Sequence, residues 1–254
     1  MVAIEIFTRK EQKYLITKEQ YEALIQRLTG KMRPDRNGEN GRYTVTSLYF
    51  DNADQRIYFE TKNKLRFRQK LRLRVYDQSG LNDSAFFEVK QKHKKVVNKR
   101  RMVLPLREAY RYFKDDAEPL DNFETSNTQV FREIDHFRHL YHLKPEMIIS
   151  YDRHALHGIE DDELRITFDL NLRCRNDDLF VENGPHGEHF IDTNLVILEV
   201  KVNHSVPLWL TRILQDLNCK QRGASKFCTS LEYLKQGELP NGIEDEKVLV
   251  GGGV

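Results

Sequence analysis

The chain has 254 residues, 39% hydrophobic and 31% charged, which is the balance of a folded globular protein and excludes a disordered one. Its 41 Lys and Arg against 39 Asp and Glu leave a net charge of +2, so bulk charge points to neither a nucleic-acid nor a membrane partner. Cys174, Cys219 and Cys228 lack paired spacing, which argues against a disulfide framework and a CxxC zinc site.

In chain order, the first strand is expected over Ile4–Ile16. A helix follows over Thr17–Gly30, where Tyr21, Leu24, Ile25 and Leu28 share one face, with Thr17 as N-cap and Gln20 completing a capping box. Strands are expected at Tyr43–Phe50, Lys64–Tyr76, Ala85–Lys92, Asn98–Leu104, Met147–Arg153, Leu164–Leu172 and Asn194–Val202. Helices are expected near Asp54–Lys62, Leu106–Lys114, Thr128–His142, Leu208–Leu217 and Lys226–Lys235, with Pro207 at N1 of the fourth of these and Ser225 as N-cap of the last. Gly38–Gly41, Asp115–Asn127 and Gly184–Glu188 read as surface loops. Residues 1–237 form the expected domain and 238–254 a flexible tail. With Glu5 and Arg9 in the first stretch and no run of ~18 apolar residues, no signal peptide or membrane span is expected. Cytoplasmic location is the expectation. Tyr49–Phe50–Asp51, Leu71–Arg72–Leu73 and Glu88–Val89–Lys90 find an echo in Tyr151–Asp152, Leu164–Arg165–Ile166 and Glu199–Val200–Lys201, which would suit a barrel of two related halves, chance similarity of amphipathic strands being the alternative.

Side chains two apart on a strand share a side of the sheet. Leu71, Leu73 and Val75 oppose Arg72 and Arg74; Phe87 and Val89 oppose Glu88, Lys90 and Lys92; Ile166 and Phe168 oppose Arg165, Thr167 and Asp169; Leu198 and Val200 oppose Glu199 and Lys201. The first strand puts Arg9, Glu11 and Lys13 on one parity. A single such strand is explained by a solvated face. Their repetition predicts an α+β fold: an eight-stranded antiparallel β-tunnel, a closed barrel with a polar, basic interior and an apolar exterior covered by helices. Crowded cations need a counter-charge. Arg and Lys together select phosphate, and the few carboxylates suit Mg²⁺ or Mn²⁺ bridging to it. Aromatics such as Phe87 and Phe168 share the hydrophobic parity, so no nucleic-acid partner is expected. Trp209 reads as structural, His136, His139 and His142 as helical surface residues, and His154 and His157 as candidates to touch substrate.

Glu11-Gln12-Lys13-Tyr14, Leu71-Arg72-Leu73-Arg74, Phe87-Glu88-Val89-Lys90, Tyr151-Asp152-Arg153, Leu164-Arg165-Ile166, Leu198-Glu199-Val200-Lys201 and Ser225-Lys226-Phe227 resemble, in order, the catalytic domain of the vacuolar transporter chaperone (VTC) complex. That family lies within the triphosphate tunnel metalloenzymes, or CYTH superfamily, and the resemblance runs from about Phe7 to Tyr233. It implies a polyphosphate polymerase in which ATP donates its terminal phosphate to a growing inorganic polyphosphate chain with Mn²⁺ or Mg²⁺ assisting. Lys13, Arg72, Arg74, Lys90, Arg153, Arg165 and Lys226 match the family's basic residues, and Glu199 matches its metal carboxylate. Arg100, Tyr151 and Ser225 are candidate substrate contacts. Glu11 and Glu88 are candidate second carboxylates, pairing with nearby Arg or Lys being the alternative.

Unlike the eukaryotic pattern, the sequence shows no regulatory N-terminal domain and no membrane segment, which reads as a stand-alone module of bacterial type with any membrane partner supplied separately. The competing expectations are a tripolyphosphatase or nucleoside triphosphatase of the same superfamily, an adenylate cyclase, and a non-catalytic polyphosphate-binding module.

Overall fold

Leu71, Leu73 and Val75 are fully buried on one side of a strand whose other side carries Arg72 and Arg74, and this two-sided character recurs around the sheet. The structure is a computed structural model that describes residues 10–94, 96–114, 117–223 and 225–238. The expected strand residues before Lys10 and nearly all of the expected tail lie outside the described residues.

The chain order is β1 (Lys10–Thr17), α1 (Lys18–Leu28), β2 (Met32–Pro34), β3 (Arg42–Asp51), α2 (Arg56–Lys62), β4 (Phe67–Tyr76), β5 (Ser84–His93), β6 (Val96–Pro105), α3 (Leu106–Lys114), α4 (Thr128–Tyr141), β7 (Lys144–Gly158), β8 (Arg165–Arg175), β9 (Glu188–His189), β10 (Leu195–Val202), α5 (Leu208–Asp216) and α6 (Lys226–Glu238). The eight long strands pair antiparallel in the order β1-β10-β8-β7-β3-β4-β5-β6. The short β2 and β9 attach to β7 and β8 and were not expected from sequence, since two or three residues carry no readable alternation.

One expectation is corrected. Among the described residues the backbone does not close into a barrel, because β1 and β6 end the hydrogen-bonded path without pairing to each other. The sheet curls instead until side chains meet, with Lys90 Nζ of β5 3.8 Å from Glu11 Oε2 of β1. The free edge of β1 is partly covered by the segment after α5, where Arg222 N donates to Lys13 O at 2.9 Å and Gln221 bridges to Tyr14. That segment delivers α6 into the concavity.

The convex side is packed by two groups of helices. α1 and α5 cover β1, β10 and β8 through Tyr21, Leu24, Leu28, Leu210 and Leu214 against Ile16, Ile166, Phe168 and Val200. α3 and α4 cover β4, β5 and β6 through Ala109, Tyr112, Phe131 and Ile134 against Leu73, Phe87, Val89 and Met102. Burying each large apolar side chain here contributes about 1.5–3 kcal/mol, which is why the apolar parity faces out toward the helices and the charged parity turns in. The capping box at α1 is present, with Gln20 N donating to Thr17 Oγ1 and Thr17 N to Gln20 Oε1. No helix among the described residues is long and apolar enough to cross a membrane.

Candidate active site

On β4 the inward parity includes Lys70, Arg72 and Arg74. Arg72 Nε lies 2.6 Å from Glu88 Oε2, and its Nη1 donates to Tyr49 OH at 3.3 Å. Arg74 is 5% exposed yet has no direct carboxylate partner among the described residues; it donates to Ser47 Oγ at 3.0 Å and Tyr151 OH at 3.2 Å. Lys70 Nζ likewise donates to a hydroxyl, Ser225 Oγ, at 2.8 Å. Beside them, Glu88 gathers cations from two strands, with Lys99 Nζ at 2.5 Å and Arg101 Nε at 3.2 Å from its Oε1.

Across the lumen, Arg153 of β7 binds Asp169 of β8 with two parallel bonds, Nε to Oδ1 at 2.7 Å and Nη2 to Oδ2 at 2.9 Å. The first residue of α6, Lys226, reaches the same Asp169 Oδ2 at 2.6 Å, Glu199 Oε1 at 3.6 Å and the face of Tyr151. Glu199 also binds Lys13 at 2.9 Å and Lys201 at 3.2 Å, and Lys13 is shared with Glu11 at 3.1 Å. Toward one mouth, Arg165 Nη2 is held by Asp35 Oδ2 at 2.7 Å and Tyr43 OH at 3.1 Å, with His157 Nε2 3.3 Å from the same carboxylate oxygen.

α6 enters this lumen because its first turn is both basic and apolar. Phe227 stacks on Tyr49 with centroids 5.4 Å apart, Ser230 is fully buried, and Ser225 Oγ accepts from Cys228 N as an N-cap. The helix thereby aims Lys226 and its own N-terminal dipole at the cluster, a placement that favours anions.

The protonation states follow from burial set against neighbours. Burial alone would raise Glu199 and Glu88, but Lys13, Lys201, Lys226 and Arg153 hold the first well below the usual carboxylate range, and Arg72, Arg74 and Lys99 hold the second there. Burial likewise would lower Lys226, but Asp169 and Glu199 raise it. Two lysines go the other way: burial, uncompensated by any carboxylate, brings Lys70 down to about 8, and burial outweighing Glu88 brings Lys99 down to about 7. Each folded value lies below the ordinary 10.5, so between these values the unfolded chain holds more protons and stability rises with pH. A polyanion reverses this locally by favouring the ammonium. Tripolyphosphate binding near pH 8 is therefore expected to take up protons, detectable as a buffer-dependent heat in calorimetry, and a Lys70→Met variant should lose part of that uptake, Lys99 supplying the rest; uptake undiminished in the variant would refute the assignment.

A family model described as the VTC domain matches residues 8–235. The chain belongs to the VTC-domain family. No curated protein matches it by sequence. Among solved structures, an adenylyl cyclase candidate from Hippeastrum with a dominant triphosphatase activity aligns at 14% identity over 94% of this chain and 98% of its own, with a TM-score of 0.52. An adenylate cyclase candidate from Bacillus halodurans aligns at 17% identity over 87% and 94%, TM-score 0.49, and a protein from Pyrococcus horikoshii at 13% over 91% and 99%, TM-score 0.46. The VTC domain thus shares a fold with the Hippeastrum protein, an α+β tunnel of antiparallel strands with helices outside.

Within this VTC domain, Glu11, Lys13, Arg72, Arg74, Glu88, Lys90, Tyr151, Arg153, Arg165, Glu199, Ser225 and Lys226 are brought together by the contacts above. Arg100 is not: it projects to the helical side of β6, where Nη2 donates to Glu133 of α4 at 3.0 Å. Pairing of Arg101 opposite Glu88 sets that register, so Lys99 and Arg101 face the lumen in its place. Glu88, with three cations on it, serves ion pairing, the alternative weighed for it above. His154 also turns outward, to Tyr21 OH at 3.0 Å, and burial brings it down to about 4. Lys70, Lys99, Arg101, Tyr43 and Tyr49 join the lumen without having been singled out.

The carboxylates can be tested for a divalent ion. Glu11 and Glu199 converge on one cation, the Lys13 ammonium, and among the described residues no third His, Cys, Asp or Glu completes a metal-binding group with them. Two carboxylates are what Mg²⁺ or Mn²⁺ takes when phosphate oxygens and water fill the other positions. The residues fit an ion completed by substrate.

Proposed function

We propose that this VTC domain is a polyphosphate polymerase that transfers the terminal phosphate of ATP to a growing inorganic polyphosphate chain. The observation that carries this is the pair of inward cations, the buried Arg74 and the half-buried Lys70, whose direct partners are hydroxyls. Two unneutralised cations in a lumen already crowded with Arg and Lys call for a polyanion, and a tunnel suits a linear one.

Arg72, Arg74, Arg153, Arg165 and Lys226 hold the donor triphosphate, and Lys13 and Lys90, beside the seam, position the acceptor. The acceptor oxygen is already anionic, so it attacks the terminal phosphorus without a base, a new P–O bond forms, the bond to the β-phosphate oxygen breaks, and ADP departs with the electron pair. The arginines stabilise charge on the transferring group by donors fixed in advance. Glu199 and Glu11 would hold Mg²⁺ or Mn²⁺, which when bound neutralises phosphate oxygens. The reaction is placed in the cytoplasm, where its cysteines remain thiols.

Purified protein incubated with ATP and Mn²⁺ should yield a ladder of long chains on a gel stained for polyphosphate, with little free phosphate. Lys226→Ala should lower the yield at least about 100-fold, as expected for a lost charge-stabilising donor. Free phosphate without chains would replace the polymerase with a triphosphatase, and tight binding without turnover would leave a binding module.

A further inference from the structure

Five aromatic side chains, Tyr43, Tyr49, Tyr76, Phe86 and Tyr151, lie on the inward parity of their strands, on the same side as the arginines. Tyr49 and Tyr151 are spoken for, the one stacked on Phe227 and the other under Lys226. The other three are grouped at the mouth where β4 ends, β5 begins and β3 begins, away from the body of α6. Tyr43 meets Tyr76 at 5.7 Å, Tyr76 meets Phe86 at 5.2 Å, and the Arg101 guanidinium lies 4.3 Å from the Phe86 centroid. Phe86 and Tyr76 are only half-buried, whereas Phe87, pointing the other way into the helical core, is fully buried.

Tyr43 belongs to the apolar core and Tyr76 packs against it, whereas Phe86 is part of neither core cluster and is left half-buried at the mouth. Inorganic phosphate chains do not use such rings, having no π face and no apolar surface. A ligand that does use them has a flat aromatic end and a polyanionic end, spaced so that the phosphates reach the arginines. Arg74 pairs directly across from Phe86 in the ladder, so the aromatic step and the buried phosphate-binding cation are adjacent. Arg101, tied to Glu88 at 3.2 Å, is fixed as a second planar surface at the same step.

Building on the proposed phosphate tunnel, we infer that Tyr76, Phe86 and Arg101 form a stacking site for the base of a nucleoside triphosphate, so that the donor enters by this mouth. The site discriminates a nucleotide from bare tripolyphosphate by stacking and needs no hydrogen bonds to base edges. It also gives the tunnel a direction, with the nucleoside at the aromatic mouth and the acceptor at Lys13 and Lys90.

Calorimetric titration of the wild type, Phe86→Leu and Phe86→Ala with ATP and with tripolyphosphate tests this. Both variants should weaken ATP about tenfold, within the range of base–aromatic stacking, and leave tripolyphosphate unchanged. The leucine variant keeps most of the apolar volume, so the test survives if alanine disturbs folding. ATP affinity unchanged in Phe86→Leu, or both ligands weakened by the same factor, overturns the stacking site. Failure of the wild type to bind either ligand overturns the phosphate tunnel itself, a distinct result.

Discussion

Glu199→Gln is expected to lower turnover by at least about 100-fold while tripolyphosphate binds as tightly as before, or more tightly, when no divalent ion is added. Glutamine keeps the shape and removes one negative charge from a place that touches Lys13 at 2.9 Å, Lys201 at 3.2 Å and Lys226 at 3.6 Å. The variant lumen is more positive, which favours a polyanion, yet it has lost the carboxylate best placed to hold a divalent ion against the phosphates. Loss of rate without loss of binding thus separates a metal-holding role from a merely structural one. Calorimetry for affinity and product formation at saturating ATP for rate make the comparison. Near-normal turnover, or loss of tripolyphosphate binding in step with activity, would sink the assignment.

The second large effect is on stability. Asp169 is fully buried and accepts both Arg153 bonds and the Lys226 ammonium. Asp169→Ala leaves two buried cations facing each other without their shared anion, and breaking a buried ion pair in this way costs about 3–5 kcal/mol. Urea unfolding should show that loss. Millimolar tripolyphosphate should restore a good part of it, because phosphate replaces the missing carboxylate and stabilises the native state by mass action. A variant as stable as wild type would show that the pair contributes little. One destabilised but unresponsive to tripolyphosphate would show that the cations do not face an accessible anion site.

Much of this geometry was legible because strand parity is local. Arg72 and Arg74 two apart, Glu11 and Lys13 two apart, and Glu199 opposite its apolar neighbours could be assigned a side from sequence alone. Arg100 could not be, because Lys99-Arg100-Arg101 offers a cation on either parity and only the long-range ladder with β5 fixes which faces in. Lys70 lies in the inward row of β4, but its significance depends on Ser225, 155 residues later. Inward Tyr43, Tyr76 and Phe86, unlike Tyr151, were hidden by a rule that counts aromatics with the core; Tyr43 and Tyr76 flank strands whose other residues already satisfy the apolar pattern. β7 extends to Gly158, beyond the expected Arg153, because His154 and His157 mask a run that in the fold is held by β2 on one side and β8 on the other. Closure of the barrel was the one architectural expectation that failed, since alternation along strands says nothing about whether the first and last strands meet.

The seam between β1 and β6 has a topological meaning. A ring of backbone hydrogen bonds would encircle a long polymer, and the polymer could leave only by sliding its end through the bore. Among the described residues the end strands form no such ring, and the Lys90–Glu11 ion pair at 3.8 Å spans the gap instead. Parting Lys90 from Glu11 breaks no ladder between β1 and β6, and the backbone contacts left at that edge are those of the segment after α5, Arg222 to Lys13 and Gln221 to Tyr14, so among the described residues the wall of the lumen is closed there by side chains and a loop and not by a sheet.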